Sequence, residues 1–203
     1  MELYDSEEQR EEAIKRFLKE NGGVLALGVV VGLGGIYGWN YYQADKLQQM
    51  ANDSMAYSTV AKSKNITEDT AKFVTSNSAT QYNQLAQMLS VKALVDADKF
   101  DEASVLLNDI ISSQVDNSVK SIAIIRLARI ESTQQKYAQA LVTLSKLTDS
   151  AFDVQKNELI GDIELVQGNT DKARIAYLAA EKALGDQVNN DLQMKLNDLT
   201  PQA

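Results

Sequence analysis

KYAQALVTLSKL, residues 136–147, decides the fold, because two other stretches repeat its pattern: KFDEASVLLNDI at 99–110 and NTDKARIAYLAA at 169–180. Each opens with a polar turn, reaches an alanine, and places a large side chain four positions later. The alanines are Ala103, Ala140 and Ala173, and their large partners are Leu107, Leu144 and Tyr177. Residues four apart share one face of an α-helix. A second helical pattern runs upstream of each stretch and carries a small residue in the second and third units, Ala128 and Gly161. The first unit departs from this with Val91.

The anchoring alanines recur 37 and 33 residues apart. A period of about 34 residues with one helix-turn-helix per unit is the tetratricopeptide pattern. The expected fold is therefore all-α, with Ala103, Ala140, Ala173, Ala128 and Gly161 at close helix-helix contacts. One helix pair cannot bury its apolar face alone, whereas stacked neighbours make a continuous core. Asn117–Ser118 and Asp149–Ser150 are the expected inter-repeat turns, and Gly185 with Asp186 ends the last repeat. A final helix over 188–199, with Leu192, Leu196 and Leu199 on one side, suits a solubilising cap. The competing reading is an irregular bundle with accidental alanine spacing.

Toward the N-terminus a helix is expected over about 46–64, either continuous with the apolar stretch before it or separate from it. Thr67 with Glu68 and Asp69 reads as the N-cap of a short helix reaching Val74. Between Glu20 and Asp45 there is no charge, and residues 24–42 read VLALGVVVGLGGIYGWNYY. About 20 apolar helical residues cross the roughly 30 Å hydrocarbon core of a bilayer. Trp39, Tyr41 and Tyr42 gather at the far end, as an interfacial belt does. A cleaved signal peptide fits poorly: the preceding region is long and acid-rich, and no small-x-small site follows. A buried soluble helix would rarely carry this many glycines.

Arg10, Lys15, Arg16 and Lys19 precede the span, while Lys46 is the only basic residue between it and Lys62. The positive-inside rule then places the N-terminus in the cytoplasm and exports the C-terminal domain. Seven of the ten glycines lie between Gly22 and Gly38. Gly28, Gly32, Gly35 and Trp39 share a helical stripe along which another membrane helix could pack, although glycine is also simply common in such helices. In the leader, Ser6 with Gln9 fits a capping box, and Glu11–Lys15 and Glu12–Arg16 are favourable pairs. Ala13, Ile14, Phe17 and Leu18 form a narrow apolar stripe suited to the membrane interface; the alternative is a solvated charged leader. Asn21, Gly22 and Gly23 are expected to break the helix or to allow a change of direction. The expected organisation is a cytoplasmic amphipathic leader over 1–22, a transmembrane helix over 23–44 and a periplasmic tetratricopeptide-like domain over 45–203.

The 203 residues include no His and no Cys. Imidazole- and thiol-based catalysis and the usual zinc sites are thereby excluded. A formal net charge of −8 opposes a large phosphate-binding surface, so no nucleic acid is expected. No P-loop, dinucleotide fingerprint, zincin or EF-hand motif occurs. Asp101 and Glu102 fit first-turn charges favourable to a helix dipole rather than a catalytic pair. No catalytic residue, metal, cofactor or small-molecule substrate is expected; an enzyme with a novel carboxylate site is the weakest of the readings.

The leader residues Glu7-Glu8-Gln9 and EAIKRFLKENG at 12–22, the Gly-rich span ending GWNYYQ at 38–43, and the degenerate repeats together resemble the YfgM-like family. These are ancillary subunits of the bacterial SecYEG translocon. The resemblance covers essentially the whole chain, and the leader and span are its specific part. It implies a bacterial inner-membrane protein with a periplasmic domain. Its implied partners are SecYEG and a membrane-anchored periplasmic chaperone resembling a prolyl isomerase, and its implied role is to help pass emerging polypeptides to periplasmic chaperones. The family offers no catalytic residues. An anchored scaffold or regulator acting through the cytoplasmic leader is the alternative function.

In stacked units of this kind the first helix of each pair lines the concave face. Counting back from the alanines, the candidate groove positions are Lys92, Arg129 and Asp162, with Met88, Ile125 and Glu158 one turn earlier. Apolar anchors there would supply contact area and charges would set orientation; the alternative is that these are ordinary solvated side chains.

Overall fold

The computed structural model describes residues 7–76 and 81–199, and every regular element among them is helical. The order is α1 (Glu7–Ala61), α2 (Ile66–Ser76), α3 (Gln81–Asp96), α4 (Phe100–Ser112), α5 (Asn117–Thr133), α6 (Tyr137–Ser145), a 3₁₀ turn (Ser150–Phe152), α7 (Asp153–Val166), α8 (Thr170–Leu184) and α9 (Asn190–Asp198). The chain divides into two compact bodies, Met1–Met55 and Ala56–Ala203.

In the first body α1 is uninterrupted. The expected break at Asn21, Gly22 and Gly23 does not occur: all three residues are helical, and Asn21 Nδ2 donates to the Phe17 carbonyl at 3.1 Å. Two mid-helix glycines cost about 1 kcal/mol each against alanine, which the continuous backbone ladder on both sides outweighs. Lys15 pairs with Glu11 at 3.1 Å. The capping box at Ser6 lies outside the described residues. This helix is long and apolar enough to cross a membrane. The aliphatic and aromatic side chains of 24–42 are exposed, from Val24 to Tyr42, as lipid-facing residues would be.

In the second body the helix pairs are α3/α4, α5/α6 and α7/α8, and all three anchoring alanines are fully buried, at 0 % exposure. Val91, Ala103 and Leu107 share one core cluster with Ala123 and Leu127 of the next pair. Ala128, Ala140 and Leu144 share the following cluster with Leu159 and Ile163. Each cluster thus joins one pair to the next, which is how a stacked array becomes a single core. Gly161 is where the small residue matters most. A Cβ there would lie 2.3 and 2.4 Å from Tyr177 Cε1 and Cδ1, well inside van der Waals contact of about 3.5–4.0 Å.

The three turns inside the pairs are closed alike. Asp98, Gln135 and Gly168 take left-handed φ values of 57°, 60° and 79°. The amides that follow, of Lys99, Lys136 and Asn169, donate back to the carbonyls of Leu94, Glu131 and Glu164 at 2.8, 2.8 and 2.9 Å. The Asp98, Gln135 and Gly168 amides donate to Val95, Ser132 and Leu165 at 3.0, 2.9 and 2.9 Å. Each turn is therefore a Schellman motif satisfying the orphan carbonyls of the first helix.

Several boundaries differ from expectation. Asn117 and Ser118 open α5 instead of forming a turn, because Asp116 caps it, accepting from the Ser118 amide at 2.8 Å. That bond holds the Asp116 carboxyl below its usual pKa. Asp149 caps the 3₁₀ turn through the Ala151 amide. Thr67 lies inside α2, which begins at Ile66. Helix α2 packs on α3: Phe73 and Ala86 form a fourth cluster with Val60 at the end of α1, and Thr70 Oγ1 donates to the Ala86 carbonyl at 3.3 Å. Gly185, with φ 64°, ends α8. Helix α9 is capped by Asn189, whose side chain accepts from the Leu192 amide at 3.1 Å, and Leu192 is buried against Ala173, Tyr177 and Ala180.

Candidate functional site

A cleft of about 250 Å³ opens between α3 and α5 beside the start of α4. Its apolar lining is Val91, Val95, Phe100 and Ile130, and its polar lining is Lys92, Arg126, Arg129 and Thr133. Pairing in the first and second repeats creates it. Val91 and Ile130 turn into the first core cluster, with Val95 and Phe100 packed against it. The helical period then leaves Lys92, Arg126 and Arg129 exposed at the rim. No carboxylate lines the cleft. Lys92 Nζ pairs along its own helix with Asp96. Arg126 Nη1 reaches across to the Met88 carbonyl at 3.4 Å and to Met88 Sδ at 3.6 Å, which ties α5 to α3.

Of the six candidate groove positions, Lys92 and Arg129 share this cleft. Met88 is half-buried against the first core, under Arg126. Ile125 is buried in the second core cluster, at 7 % exposure, and presents no groove surface. Glu158 and Asp162 on α7 are engaged by the cap helix. Lys195 Nζ of α9 donates to Glu158 Oε1 and Asp162 Oδ1, both at 2.7 Å. Tyr177 Oη donates to the same Asp162 oxygen at 2.8 Å, and the Lys195 ammonium sits 5.6 Å from the Tyr177 ring centroid. Burial works against the Lys195 ammonium, but its bonds to Asp162 and Glu158 prevail and hold its pKa above the usual lysine value. Burial, then Asp162 and Glu158, push the Tyr177 phenol up.

Sequence reasoning missed Arg126 and Phe100. Arg126 lies three residues before Arg129, on the same helix face, so its place was available from the α5 period. Phe100 follows the first Schellman turn, where Tyr137 stands in the second repeat and Thr170 in the third. The stripe of Gly28, Gly32 and Gly35 is open, with nothing within 4 Å of an added Cβ. Trp39 beside it is exposed and lies 6.1 Å from the Tyr42 ring. Among the described residues no His, Cys, Asp and Glu gather in a metal-binding group.

A profile of the tetratricopeptide repeat-like domain matches residues 15–201. Among characterised proteins, the chain is 30 % identical over 199 residues to an ancillary SecYEG translocon subunit of Haemophilus influenzae, covering 95 % of this chain and 97 % of that one. It is 28 % identical over 205 residues to the protein of the same name from Escherichia coli, covering 98 % and 100 %. The corresponding figures for one from Neisseria gonorrhoeae are 26 % over 208 residues, covering 98 % and 100 %. No solved structure matches. Matched along nearly its whole length both by the repeat-like domain and by these relatives, the chain belongs to the family of ancillary SecYEG translocon subunits.

Proposed function

We propose that this chain is a non-catalytic adaptor of the bacterial inner membrane, which associates with SecYEG and helps pass emerging polypeptides to periplasmic chaperones. The observation that carries this reading is the extent of the likeness: relatives named for the translocon match through leader, span and repeat domain together. The repeat fold supports an adaptor, since stacked helix pairs build an extended surface for polypeptide partners. The cations of the leader, Arg10, Lys15, Arg16 and Lys19, support a cytoplasmic N-terminus. The repeat domain then lies in the periplasm, where a membrane-anchored chaperone resembling a prolyl isomerase is its second partner.

The test is affinity isolation from membranes in gentle detergent, using the full chain and a chain lacking residues 1–22. The adaptor reading expects the SecYEG subunits and the chaperone to co-purify with both. Recovery of neither with the full chain refutes it. Loss of both on removing the leader transfers the function to the cytoplasmic segment.

A further inference from the structure

We infer that the cleft between α3 and α5 is a docking site for an extended acidic peptide segment, with one apolar side chain on its floor and flanking carboxylates on its rim. The inference rests on the adaptor reading only for where that peptide comes from. The physical case is local. The chain carries a net charge of −8, yet three cations and no carboxylate line this cleft. Among the described residues neither Arg126 nor Arg129 makes an ion pair, and both guanidinium-bearing side chains are exposed. A guanidinium accepts a carboxylate through two parallel hydrogen bonds, so a pair of them three residues apart on one helix suits successive acidic groups of a peptide.

The floor supplies the other half of the recognition. Val95, Phe100 and Ile130 present apolar surface beneath that charged rim, which is the arrangement of an anchored peptide: area from an apolar side chain, register from charges. The volume of about 250 Å³ falls below the roughly 300–1,000 Å³ that encloses a cofactor or drug-sized molecule. It is suited to one or two side chains. A lipid surface is the poorer match, because a planar layer of headgroups cannot bring apolar atoms down onto a floor between two helices.

The experiment uses the full chain in detergent micelles and a fluorescein-labelled synthetic peptide with a central leucine flanked by aspartates. Two control peptides replace the aspartates with lysine or the leucine with glycine. Anisotropy should show saturable binding of the acidic peptide, at least roughly tenfold tighter than either control, and weakening as salt is raised. Arg126→Glu with Arg129→Glu should weaken it by roughly tenfold or more. Arg126→Gln with Arg129→Gln should weaken it too, and carries the test if the doubly acidic variant fails to keep the helical circular dichroism of the parent. Equal affinity of parent and folded variant, tighter binding of the lysine peptide, or capture by phosphatidylglycerol vesicles but not by the acidic peptide each overturns the inference. SecYEG recovery with the parent chain is scored separately. Its failure removes the adaptor reading and leaves the peptide measurement standing.

Discussion

Replacing Gly161 with alanine adds a single methyl group, and two opposed effects act on it. Alanine is the better helix former, by about 1 kcal/mol in a helix interior. Against that, the new Cβ falls 2.3 Å from Tyr177 Cε1. The ring has nowhere free to go, because Tyr177 is fully buried, its hydroxyl is bonded to Asp162 at 2.8 Å, and Lys195 lies over its face. Overpacking a core costs about 1–3 kcal/mol, and displacing the ring also weakens a hydrogen bond to a charged acceptor, worth about 1.5–3 kcal/mol. The net expectation is a loss of about 2 kcal/mol, which for a domain of this size lowers Tm by about 4–8 °C. Thermal unfolding of the full chain in mild detergent, followed by circular dichroism, measures it. Adding Tyr177→Leu rebuilds the Ala128–Leu144 combination of the preceding repeat and should recover part of the loss. An unchanged or raised Tm for Gly161→Ala would refute the claim that this glycine exists to admit the ring.

The second Schellman turn places Gln135 at φ 60°, a conformation that costs a residue with a Cβ about 1–2 kcal/mol; Gln135→Gly should therefore raise the unfolding free energy by about 0.5–1 kcal/mol after the added freedom of the unfolded chain, read as a higher denaturant midpoint. Lys195 and Tyr177 both hold their protons more firmly when folded, so the unfolded chain releases them first. Stability from these groups should be constant to about pH 10 and fall above it, and pH-dependent melts in which Lys195→Met removes part of that fall check the assignment. Gly32→Leu should leave insertion intact but lower co-purification of membrane partners, whereas equal recovery reduces the glycine stripe to ordinary composition. Protease added outside spheroplasts should digest the chain beyond Asp45, and cleavage confined to the first twenty or so residues would reverse the orientation.

The repeat could be read from Ala103, Ala140 and Ala173 because small residues at helix crossings are a property of side-chain size alone, and size is explicit in sequence. The turn register was harder. Only Gly168 advertises a left-handed residue; Asp98 and Gln135 adopt the same φ because the Schellman hydrogen bonds and the packing on either side impose it. The packing of α2 on α3 was hard to read because Thr70 bonds to the Ala86 carbonyl at that contact, and a hydroxyl leaves no apolar signature. Of the groove positions, Ile125 turns into the second core, and Glu158 and Asp162 are claimed by Lys195, 37 and 33 residues further on. No local period encodes a contact of that kind. The leader was misjudged at Gly22 and Gly23, where glycine propensity was weighed without the helix continuing on both sides.

The central claim is that the repeat domain meets polypeptides as they leave the translocon. The direct measurement places a photoreactive amino acid at position 129 and irradiates membranes in which a secretory polypeptide is arrested part-way through SecYEG. The account predicts a cross-link between this chain and the arrested polypeptide, absent when translocation has not begun. SecYEG co-purifying with the chain while the arrested polypeptide remains unlinked, from position 129 and from other exposed positions of the repeat domain, would contradict it.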